Sequence, residues 1–281
     1  MRTGVVGHVE WIEFIRVEKL PAAGDIVHGT EAGQVPAGGG AVAAVQLAKL
    51  AGGATFFTAL GGDDLGRTAR SELEKLGLRV EATFREEPQR RGITLVDGDG
   101  ERTITVIGTR VAPSAGDPLP WGDLDGMDGV YVTAGDAEVI RLARRAHLLV
   151  ATARILPALR EAGVELDALV GSGRDPMEAY EPGMLDPPPR LVVRTDGSKG
   201  GTFTEEGGST VAYEPVPLPG PVVDTYGCGD SFAGALTYAL ALGLPPREAV
   251  QLAAGAGAAV ATGRGPYEKQ RAASTDGAGI G

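Results

Sequence analysis

Residues 224–234 have the sequence DTYGCGDSFAG, and this stretch decides what fold and chemistry the chain is expected to have. A turn of small residues, 227–229, stands directly before a run whose apolar and small residues recur at helical spacing. Those residues are Phe232, Ala235, Leu236, Ala239, Leu240 and Gly243. The pattern predicts a helix that begins close to Asp230, with the turn at its positive end. Backbone N–H groups at such a turn are unpaired and, together with the helix dipole, attract an anion.

Asp230 has two interpretations at this place. Aspartate is a common N-cap, so the residue can simply begin the helix. Alternatively, its carboxylate takes a proton from a hydroxyl that attacks a phosphate held by the same N–H groups. The stretch alone leaves both open, and the rest of the chain favours the second.

Composition restricts the classes of partner. The 281 residues are 43% hydrophobic, which suffices for a large core in one or two α/β domains. A formal net charge of −11 argues against nucleic acid and anionic membranes as partners, since both need basic patches. The one cysteine, Cys228, excludes an internal disulfide and a cysteine-rich zinc site. The longest apolar run, 232–244, is too short for a bilayer and a strand pattern begins at once, so we expect a cytoplasmic protein without a signal peptide.

Short apolar runs alternate with helical patterns along most of the chain. The predicted strands are residues 4–9, 54–60, 129–133, 148–151, 168–171 and 191–195. The predicted helices are residues 41–51, 66–76, 136–146, 155–162, 231–242 and 246–262. This alternation indicates an α/β fold of three layers, in which helices cover both faces of a mostly parallel sheet and ligands bind at the carboxyl ends of its strands.

Two extended stretches interrupt the alternation. Residues 17–34 contain turn residues, and residues 91–106 form a hairpin pattern around the turn at 97–100. We expect them to form a small separate sheet, either a lid over the site or an ordinary surface hairpin. An exposed sheet face favours pairing with a second copy, so a homodimer through this sheet is the leading assembly hypothesis. The tail, residues 272–281, is expected to be frayed.

Three further motifs stand in chain order around these elements: Gly38-Gly39-Gly40 before a predicted helix, TALGGDDLG at 58–66 and RTDGSKGG at 194–201. With 224–230 they resemble four motifs of the ribokinase-like carbohydrate kinases, the PfkB family. The family's motifs are a Gly-Gly sugar-binding turn, Gly-x-Asp-x-x-Gly, a Thr-x-Gly-x-x-Gly nucleotide turn and Asp-Thr-x-Gly-Ala-Gly-Asp. The resemblance covers residues 4–267. Without the resemblance, the simplest interpretation is that Asp63 is a turn residue and that the glycines of these motifs lie in ordinary turns.

The resemblance implies a single ribokinase-like kinase domain over residues 1–281, with lid segments at about 10–36 and 91–110. It implies that ATP, with Mg²⁺, phosphorylates a primary hydroxyl of a small sugar or related polyhydroxy compound. Asp230 is then the general base, and Gly227, Cys228 and Gly229 form the anion hole.

The resemblance also assigns the binding residues. Those implied for the nucleotide are Thr195, Gly197, Ser198, Gly200 and Thr225. Those implied for the acceptor are Glu10, Gly38, Gly39, Gly40 and Asp230. Contacts to Mg²⁺ through water are implied for Ser172 and Asp175.

Departures from the family pattern lie mostly on the acceptor side. Val42 and Ala43 stand where the family carries an Asn, and Ile12 stands where it carries an Asp that grips sugar hydroxyls. The family's Asn-x-x-Glu appears as Ser-Gly-Arg-Asp at 172–175. Because the base and the anion hole are retained, the sequence favours a kinase with an unusual acceptor.

Cys228 replaces the alanine of the family signature. A thiol at a helix N-terminus can have a lowered pKa, which predicts that alkylation of Cys228 slows turnover and that bound nucleotide protects it.

Other functions remain as alternatives. The first is a catalytically weak or silent sugar- or nucleotide-binding regulatory protein on the same fold. A nicotinamide-dependent dehydrogenase is disfavoured because Gly-x-Gly-x-x-Gly does not follow the first strand, and a Walker-type NTPase because its motif does not occur. Vitamin kinases of related fold usually lack a β lid, so the hairpin at 91–106 disfavours them.

Overall fold

The computed structural model describes residues 1–100 and 102–273. The described strands are β1 (Thr3–Val6), β2 (Glu10–Arg16), β3 (Glu31–Ala37), β4 (Ala54–Gly61), β5 (Leu78–Arg85), β6 (Arg91–Val96), β7 (Arg102–Ile107), β8 (Gly129–Val132), β9 (Leu149–Thr152), β10 (Ala168–Ser172), β11 (Leu191–Thr195), β12 (Gly201–Glu205) and β13 (Thr210–Tyr213). The described α-helices are α1 (Gly39–Ala51), α2 (Asp64–Lys75), α3 (Ala137–Ala143), α4 (Leu156–Ala162), α5 (Cys228–Ala241) and α6 (Pro246–Val260).

The main sheet has the strand order β13-β12-β11-β10-β9-β8-β1-β4-β5. Its pairs are parallel from β5 to β11, and the last two pairs, β11–β12 and β12–β13, are antiparallel, so β12 is the one reversed strand in the described part of this sheet. Val5 packs into a core with residues of α1, α2, α5 and α6, whereas its neighbour Val6 packs with α3 and α4 on the other face. This period-two alternation buries both faces of the sheet. The predicted three-layer α/β fold with a mostly parallel sheet is confirmed.

Helices α1 and α5 pack unusually close to each other. A Cβ at Gly234 would lie 2.5 Å from the carbonyl oxygen of Ala43, so only glycine allows this approach. Leu236 and Val45, both fully buried, lie in the same core cluster beside it. The close packing places the N-terminal ends of the two helices side by side, above the carboxyl end of β1.

A second, smaller sheet has the strand order β3-β2-β6-β7, and we call it the lid sheet. Strands β2 and β6 are parallel, and the two outer pairs are antiparallel. The hairpin predicted at 91–106 is confirmed, with Arg91 opposite Ile107. The other predicted stretch, residues 17–34, is mostly not strand. β2 ends before it at Arg16, β3 begins within it at Glu31, and the chain between them consists mainly of turns and irregular structure. The separate small sheet is therefore confirmed, with one segment shifted.

Gln89 ties the lid sheet to the main sheet. Its side-chain amide donates to the carbonyl of Val9 (2.8 Å) and accepts from the N–H of Gly61 (3.0 Å). Its backbone N–H donates to Asp63 Oδ2 (3.2 Å), while Asp63 Oδ1 caps helix α2 by accepting from the N–H of Gly66 (3.0 Å). The turn interpretation of Asp63 is therefore confirmed. The motif at 58–66 is in addition a helix cap, and it binds the chain at Gln89 where that chain enters β6.

Several predicted boundaries are wrong. The predicted strand 4–9 ends at Val6, because the chain turns at 7–9 to enter the lid sheet. Strands β5, β12 and β13 were not predicted, and α5 begins three residues earlier than expected, at Cys228. The predicted frayed tail lies outside the described residues from position 274 onward. None of the described helices is long and apolar enough to cross a membrane.

Candidate active site

The candidate site lies at the carboxyl end of β1, which is the topological switch point of the main sheet. Strand β4 pairs with one edge of β1 and β8 with the other. Crevices at such switch points are the usual ligand sites of open α/β sheets. The Gly38–Gly40 turn and the first turn of α5 both lie here.

Asp230 lies in the first turn of α5, not at its cap. The N-cap is Gly227, in a left-handed conformation with φ 81°, and the helix begins at Cys228. The interpretation of Asp230 as a simple N-cap is therefore wrong. Burial, and next the negative charge of Glu178, raise the pKa of the Asp230 carboxyl to about 6, while the charge of Arg102 opposes this rise. Such a carboxyl is still ionised at neutral pH, and it is a stronger base than an ordinary aspartate.

The glycine turn lies against this carboxyl. A Cβ at Gly39 would lie 3.1 Å from Asp230 Oδ1, and a Cβ at Gly38 would lie 3.3 Å from Cγ of the buried Glu10. The backbone N–H of Gly38 donates to the hydroxyl of Tyr226 (3.3 Å), a residue that the sequence reasoning passed over. The structure thus brings the predicted acceptor residues together around Asp230.

The predicted anion turn, 227–229, is packed on one side and open on the other. A Cβ at Gly227 would lie 2.9 Å from Pro266 and 3.0 Å from Val42. At the exposed Gly229, apart from its chain neighbours and the backbone of its own helix, no described atom lies within 4 Å of a Cβ position. The backbone there leaves room for a ligand on the face of the turn that carries Gly229.

The pKa predicted for Cys228 is wrong. Burial raises the pKa of its thiol to about 12, and the nearby charge of Arg102 offsets only part of that rise. The thiolate would lose its hydration at this packed helix end, and that cost exceeds the stabilisation offered by the helix dipole.

Asp224 holds the signature loop in shape. Its carboxylate accepts from the N–H groups of Tyr226 (2.8 Å) and Gly265 (3.1 Å), and the residue is 2% exposed. The neighbouring hydroxyl of Thr225 accepts a hydrogen bond from Arg102 of β7, whose guanidinium also lies over the ring of Tyr226. The lid sheet therefore contacts the signature loop directly.

The predicted nucleotide residues Thr195, Gly197, Ser198 and Gly200 lie at the end of β11 and in the turn that follows it, in which Gly197 and Ser198 are exposed and Gly200 is buried. The N–H of Asp196 donates to the carbonyl of Gly200 (2.7 Å), which closes the turn. A Cβ at Gly200 would lie 2.1 Å from the carbonyl oxygen of Tyr213, so this position requires glycine. Thr195 pairs with Ser172 in the sheet, which places this turn beside the end of β10.

The residues predicted to organise Mg²⁺ are engaged within the protein. Asp175 pairs with Arg154 and accepts from the N–H of Met177 (2.9 Å). Glu178, which the sequence reasoning missed, lies 2.9 Å from Arg154 and accepts from the N–H of Ser172 (2.7 Å). No group of three or more His, Cys, Asp or Glu side chains suited to a metal occurs among the described residues. The donor set does not fit a resident ion.

The residues at the proposed acceptor site are apolar at two positions where the family carries polar side chains that bind sugar hydroxyls. Ile12 and Val42, which occupy the family's Asp and Asn positions, are fully buried and pack with Ala37 and Tyr226. Beside this apolar cluster lie a buried histidine, His8, and the Glu10–Arg90 pair (3.1 Å). Two cavities in the described part of the chain, of about 170 and 430 Å³, adjoin Trp11 and Gln34 instead, and Asp230 lines neither.

The comparisons with protein families and with curated proteins both match carbohydrate kinases. The model described as "pfkB family carbohydrate kinase" matches residues 3–155 and 164–273. An ATP-dependent ribose-1-phosphate kinase of Halopiger xanaduensis is 30% identical over 248 residues, which are 81% of this chain and 80% of that protein. A ribokinase of Arabidopsis thaliana is 24% identical over 90% of this chain and 74% of its own length.

Solved structures show the same fold. A ribokinase of Thermotoga maritima superposes with a TM-score of 0.77 at 23% identity over 96% of each chain. An Arabidopsis thaliana ribokinase complexed with ribose and ATP superposes with a TM-score of 0.72 at 19% identity over 95% of each chain.

Proposed function

This chain belongs to the pfkB family of carbohydrate kinases, and on that premise we propose that it transfers the γ-phosphoryl group of ATP to a primary hydroxyl of a small sugar or related polyhydroxy compound. The family makes it a phosphotransferase with an alcohol group as acceptor. We propose Asp230 as its general base and the turn 227–229 as its anion hole.

One observation carries the proposal: a carboxyl with a pKa of about 6 lies in the first turn of α5 and against the glycine turn at Gly39. An acceptor on the glycine turn presents its hydroxyl to Asp230, which removes the proton as the oxygen attacks the γ-phosphorus. The N–H groups of 227–229 and the positive end of α5 stabilise the charge on the transferring group. The bond to the β-phosphate oxygen breaks, and ADP leaves.

We assign the nucleotide to the turn after β11 and to Thr225. Support comes from the turn at 195–200, in which Gly197 and Ser198 are exposed and Gly200 is required by the close approach of Tyr213, and from the ATP and ADP that two ribokinase neighbours contain. Mg²⁺ would enter with ATP, as part of the substrate, and would neutralise phosphate charge. Ser172 and Asp175 are proposed to contact it only through water, because the oxygens of Asp175 already bind Arg154 and Met177.

We further propose that the chain acts as one kinase domain, with the lid segments 10–36 and 91–110 covering the acceptor. The contact of Arg102 with Thr225 supports this arrangement, because it joins the lid sheet to the signature loop directly before the anion turn. The names of the curated relatives, ribose-1-phosphate kinase, ribokinase and fructokinase, support an acceptor among sugars and sugar phosphates.

The test is a transfer assay with γ-labelled ATP and Mg²⁺ over sugars, sugar phosphates, polyols, nucleosides and sugar acids. We expect label to appear in one acceptor class and ADP to form in equal amount. Calorimetry with ATP and Mg²⁺ gives nucleotide binding separately. Binding of nucleotide and sugar with no transfer to any acceptor would contradict the kinase proposal and favour the silent regulatory protein.

A further inference from the structure

Two arginines link the proposed nucleotide turn after β11 to the neighbouring loop at 172–175. Arg174 of that loop lies over Gly197 of the turn, because a Cβ at Gly197 would be 2.7 Å from Cζ of Arg174. Arg194, directly before the turn, lies over Gly173 of the loop, where a Cβ would be 3.0 Å from its Nε. A side chain at either glycine would displace a guanidinium group. We call Arg174 and Arg194 the crossed arginines.

The backbone fixes the crossed arginines at the ends of two neighbouring strands. Ser172 of β10 pairs with Thr195 of β11, and the N–H of Gly173 donates to the carbonyl of Thr195 (2.7 Å). The N–H of Arg174 donates to Oγ of Ser172 (3.2 Å). The loop and the turn therefore meet at the carboxyl ends of β10 and β11, the edge at which open α/β sheets bind ligands.

Arg174 offers hydrogen-bond donors to a ligand. Its Nε donates to Oδ1 of Asp196 (2.8 Å), and its Nη2 donates to the carbonyl of Asp196 (2.7 Å). Its Nη1 donates to no group within residues 1–100 and 102–273, and this nitrogen carries two of the five N–H donors of a guanidinium. Because 53% of the Arg174 side chain is exposed, these donors are accessible from solvent.

The carboxylates around the crossed arginines are not free to attract a cation. Asp175 and Glu178 both pair with Arg154, and Asp196 pairs with Arg174. A metal ion would therefore meet carboxylates whose charge is already neutralised by arginine. This is the physical reason why the donor set at this place does not fit a resident ion.

Two cations at the same place have no partner. The side chains of Arg194 and Lys199 are exposed and form no hydrogen bond or ion pair in the described part of the chain. The hydrogen bond from Arg174, and next the charges of Arg174, Lys199 and Arg194, hold the pKa of the Asp196 carboxyl below its usual range. Three cationic side chains thus surround one carboxylate in a chain of net charge −11, and an anion brought there is favoured.

From this geometry we infer that Arg174 and Arg194 bind the phosphate chain of the nucleotide directly, so that ADP and ATP bind without Mg²⁺. The inference rests on the proposed nucleotide site and specifies which side chains balance the phosphate charge there. Guanidinium groups bind phosphate oxygens through paired charge-assisted hydrogen bonds. Arg174 supplies its Nη1 for this purpose, and Arg194 supplies its whole guanidinium.

The experiment is calorimetry of ADP binding to the full chain, once with Mg²⁺ and once with EDTA. ADP is used because no transfer can take place during the titration. We expect the affinity in EDTA to lie within about 10-fold of that in Mg²⁺, since the arginines balance the phosphate charge in both buffers. A larger loss of affinity in EDTA would overturn the inference.

Variants locate the effect. In EDTA, Arg174→Gln and Arg194→Gln should each weaken ADP binding by about 10–100-fold, the effect of losing hydrogen bonds between charged groups, and Arg174→Lys should retain part of the affinity. Arg70→Gln is the matched control, because Arg70 on α2 is likewise half-exposed (42%) and pairs through Nε with Glu74 (2.9 Å). Unchanged affinity in either folded Gln variant, or an equal loss in Arg70→Gln, would refute the assignment.

A further comparison separates phosphate binding from a merely structural role of Arg174. If Arg174 only held the turn in shape through Asp196, Asp196→Ala would weaken ADP binding as much as Arg174→Gln does. If Arg174 binds phosphate, Asp196→Ala removes a competing carboxylate, and ADP should bind equally well or more tightly. Equal losses in the two variants would contradict the inference.

The outcomes also separate this inference from the kinase proposal. Binding of ADP in EDTA through the crossed arginines, without transfer from ATP to any acceptor, would sustain the inference and refute the kinase. Binding that requires Mg²⁺, together with transfer, would sustain the kinase and refute the inference. Absence of binding in both buffers would refute the nucleotide site on which both rest.

Discussion

Replacing Asp230 by Asn removes the proposed base and leaves the volume of the side chain almost unchanged. General-base catalysis contributes ~10²–10⁴-fold, so we expect turnover to fall by about that factor. The affinity for ATP should survive, because the N–H groups of 227–229 are untouched.

The same substitution should stabilise the fold at neutral pH. The pKa of Asp230 rises from an ordinary 3.8 to about 6, which at about 1.4 kcal/mol per pH unit is an ionisation cost of up to ~3 kcal/mol. Asn removes that cost but also loses the favourable interaction of a carboxylate with the first turn of α5, about 0.3–1 kcal/mol. We therefore expect the free energy of unfolding at pH 7.5 to rise by up to about 2–2.7 kcal/mol.

The gain must depend on pH in a defined direction. Below pH 3.8 the carboxyl is protonated in both the folded and the unfolded chain, so the cost is absent. It develops between pH 3.8 and about 6 and is complete above that range. Urea unfolding of parent and variant at pH 3.5, 5 and 7.5, with turnover measured at pH 7.5, checks both effects. A gain of equal size at pH 3.5 and 7.5 would refute the electrostatic argument, and turnover within a few-fold of the parent would refute the role as base.

Four further results are expected. Glu178→Gln removes the largest neighbouring charge that raises the pKa of Asp230, so the acid limb of kcat/KM, expected near pH 6, should move to lower pH; an unmoved limb contradicts the coupling. Cys228 should react with iodoacetamide far more slowly than free cysteine at pH 7.5, because its pKa is raised to about 12, and Cys228→Ala should keep turnover within a few-fold; rapid alkylation counts against the buried thiol. Gly39→Ala places a methyl 3.1 Å from Asp230 Oδ1, so turnover should fall at least about 10-fold with little change in Tm; normal turnover would mean that the acceptor lies elsewhere. Light scattering at micromolar concentration should give a dimer mass, and Ile104→Lys on the exposed strand β7 should convert it to the monomer; a monomeric parent refutes pairing through the lid sheet.

The sequence predicted the parts of the fold that have strong local patterns. The alternation of apolar runs and helical periods was sufficient for the parallel sheet, and the turn at 97–100 was sufficient for the hairpin of β6 and β7. Strands β12 and β13 were missed because their residues are only partly buried, which weakens their hydrophobic signal. The strand predicted at 4–9 was too long, since periodicity does not reveal where a chain leaves one sheet for another.

The candidate site divides in the same way. Motifs placed Asp230, the glycine turn and the turn after β11 at their strand and helix ends, because these positions require small residues at fixed spacing. The spacing could not show that Glu178 lies beside Arg154 or that His8 lies against the glycine turn, since those neighbours come from separate parts of the chain. The predicted lowering of the Cys228 pKa was wrong for a related reason. The sequence shows that the residue lies at the start of a helix, whereas burial of its thiol depends on the packing around it.

The hydrogen bonds of Gln89 have a mechanical consequence for the lid sheet. The chain crosses between the two sheets at four places. Gln89, directly before β6, binds Val9, directly before β2, and so joins two of these crossings. The other two crossings contain Gly38 (φ 86°) and Gly108 (φ 93°), where the backbone can turn with the least steric resistance. If the lid sheet rotates relative to the main sheet, the two crossings joined by Gln89 would therefore act as the hinge. The change in backbone angles would fall on the two crossings that contain Gly38 and Gly108. Gly38 belongs to the glycine turn that lies against Asp230, so the same rotation would move the backbone beside that carboxyl.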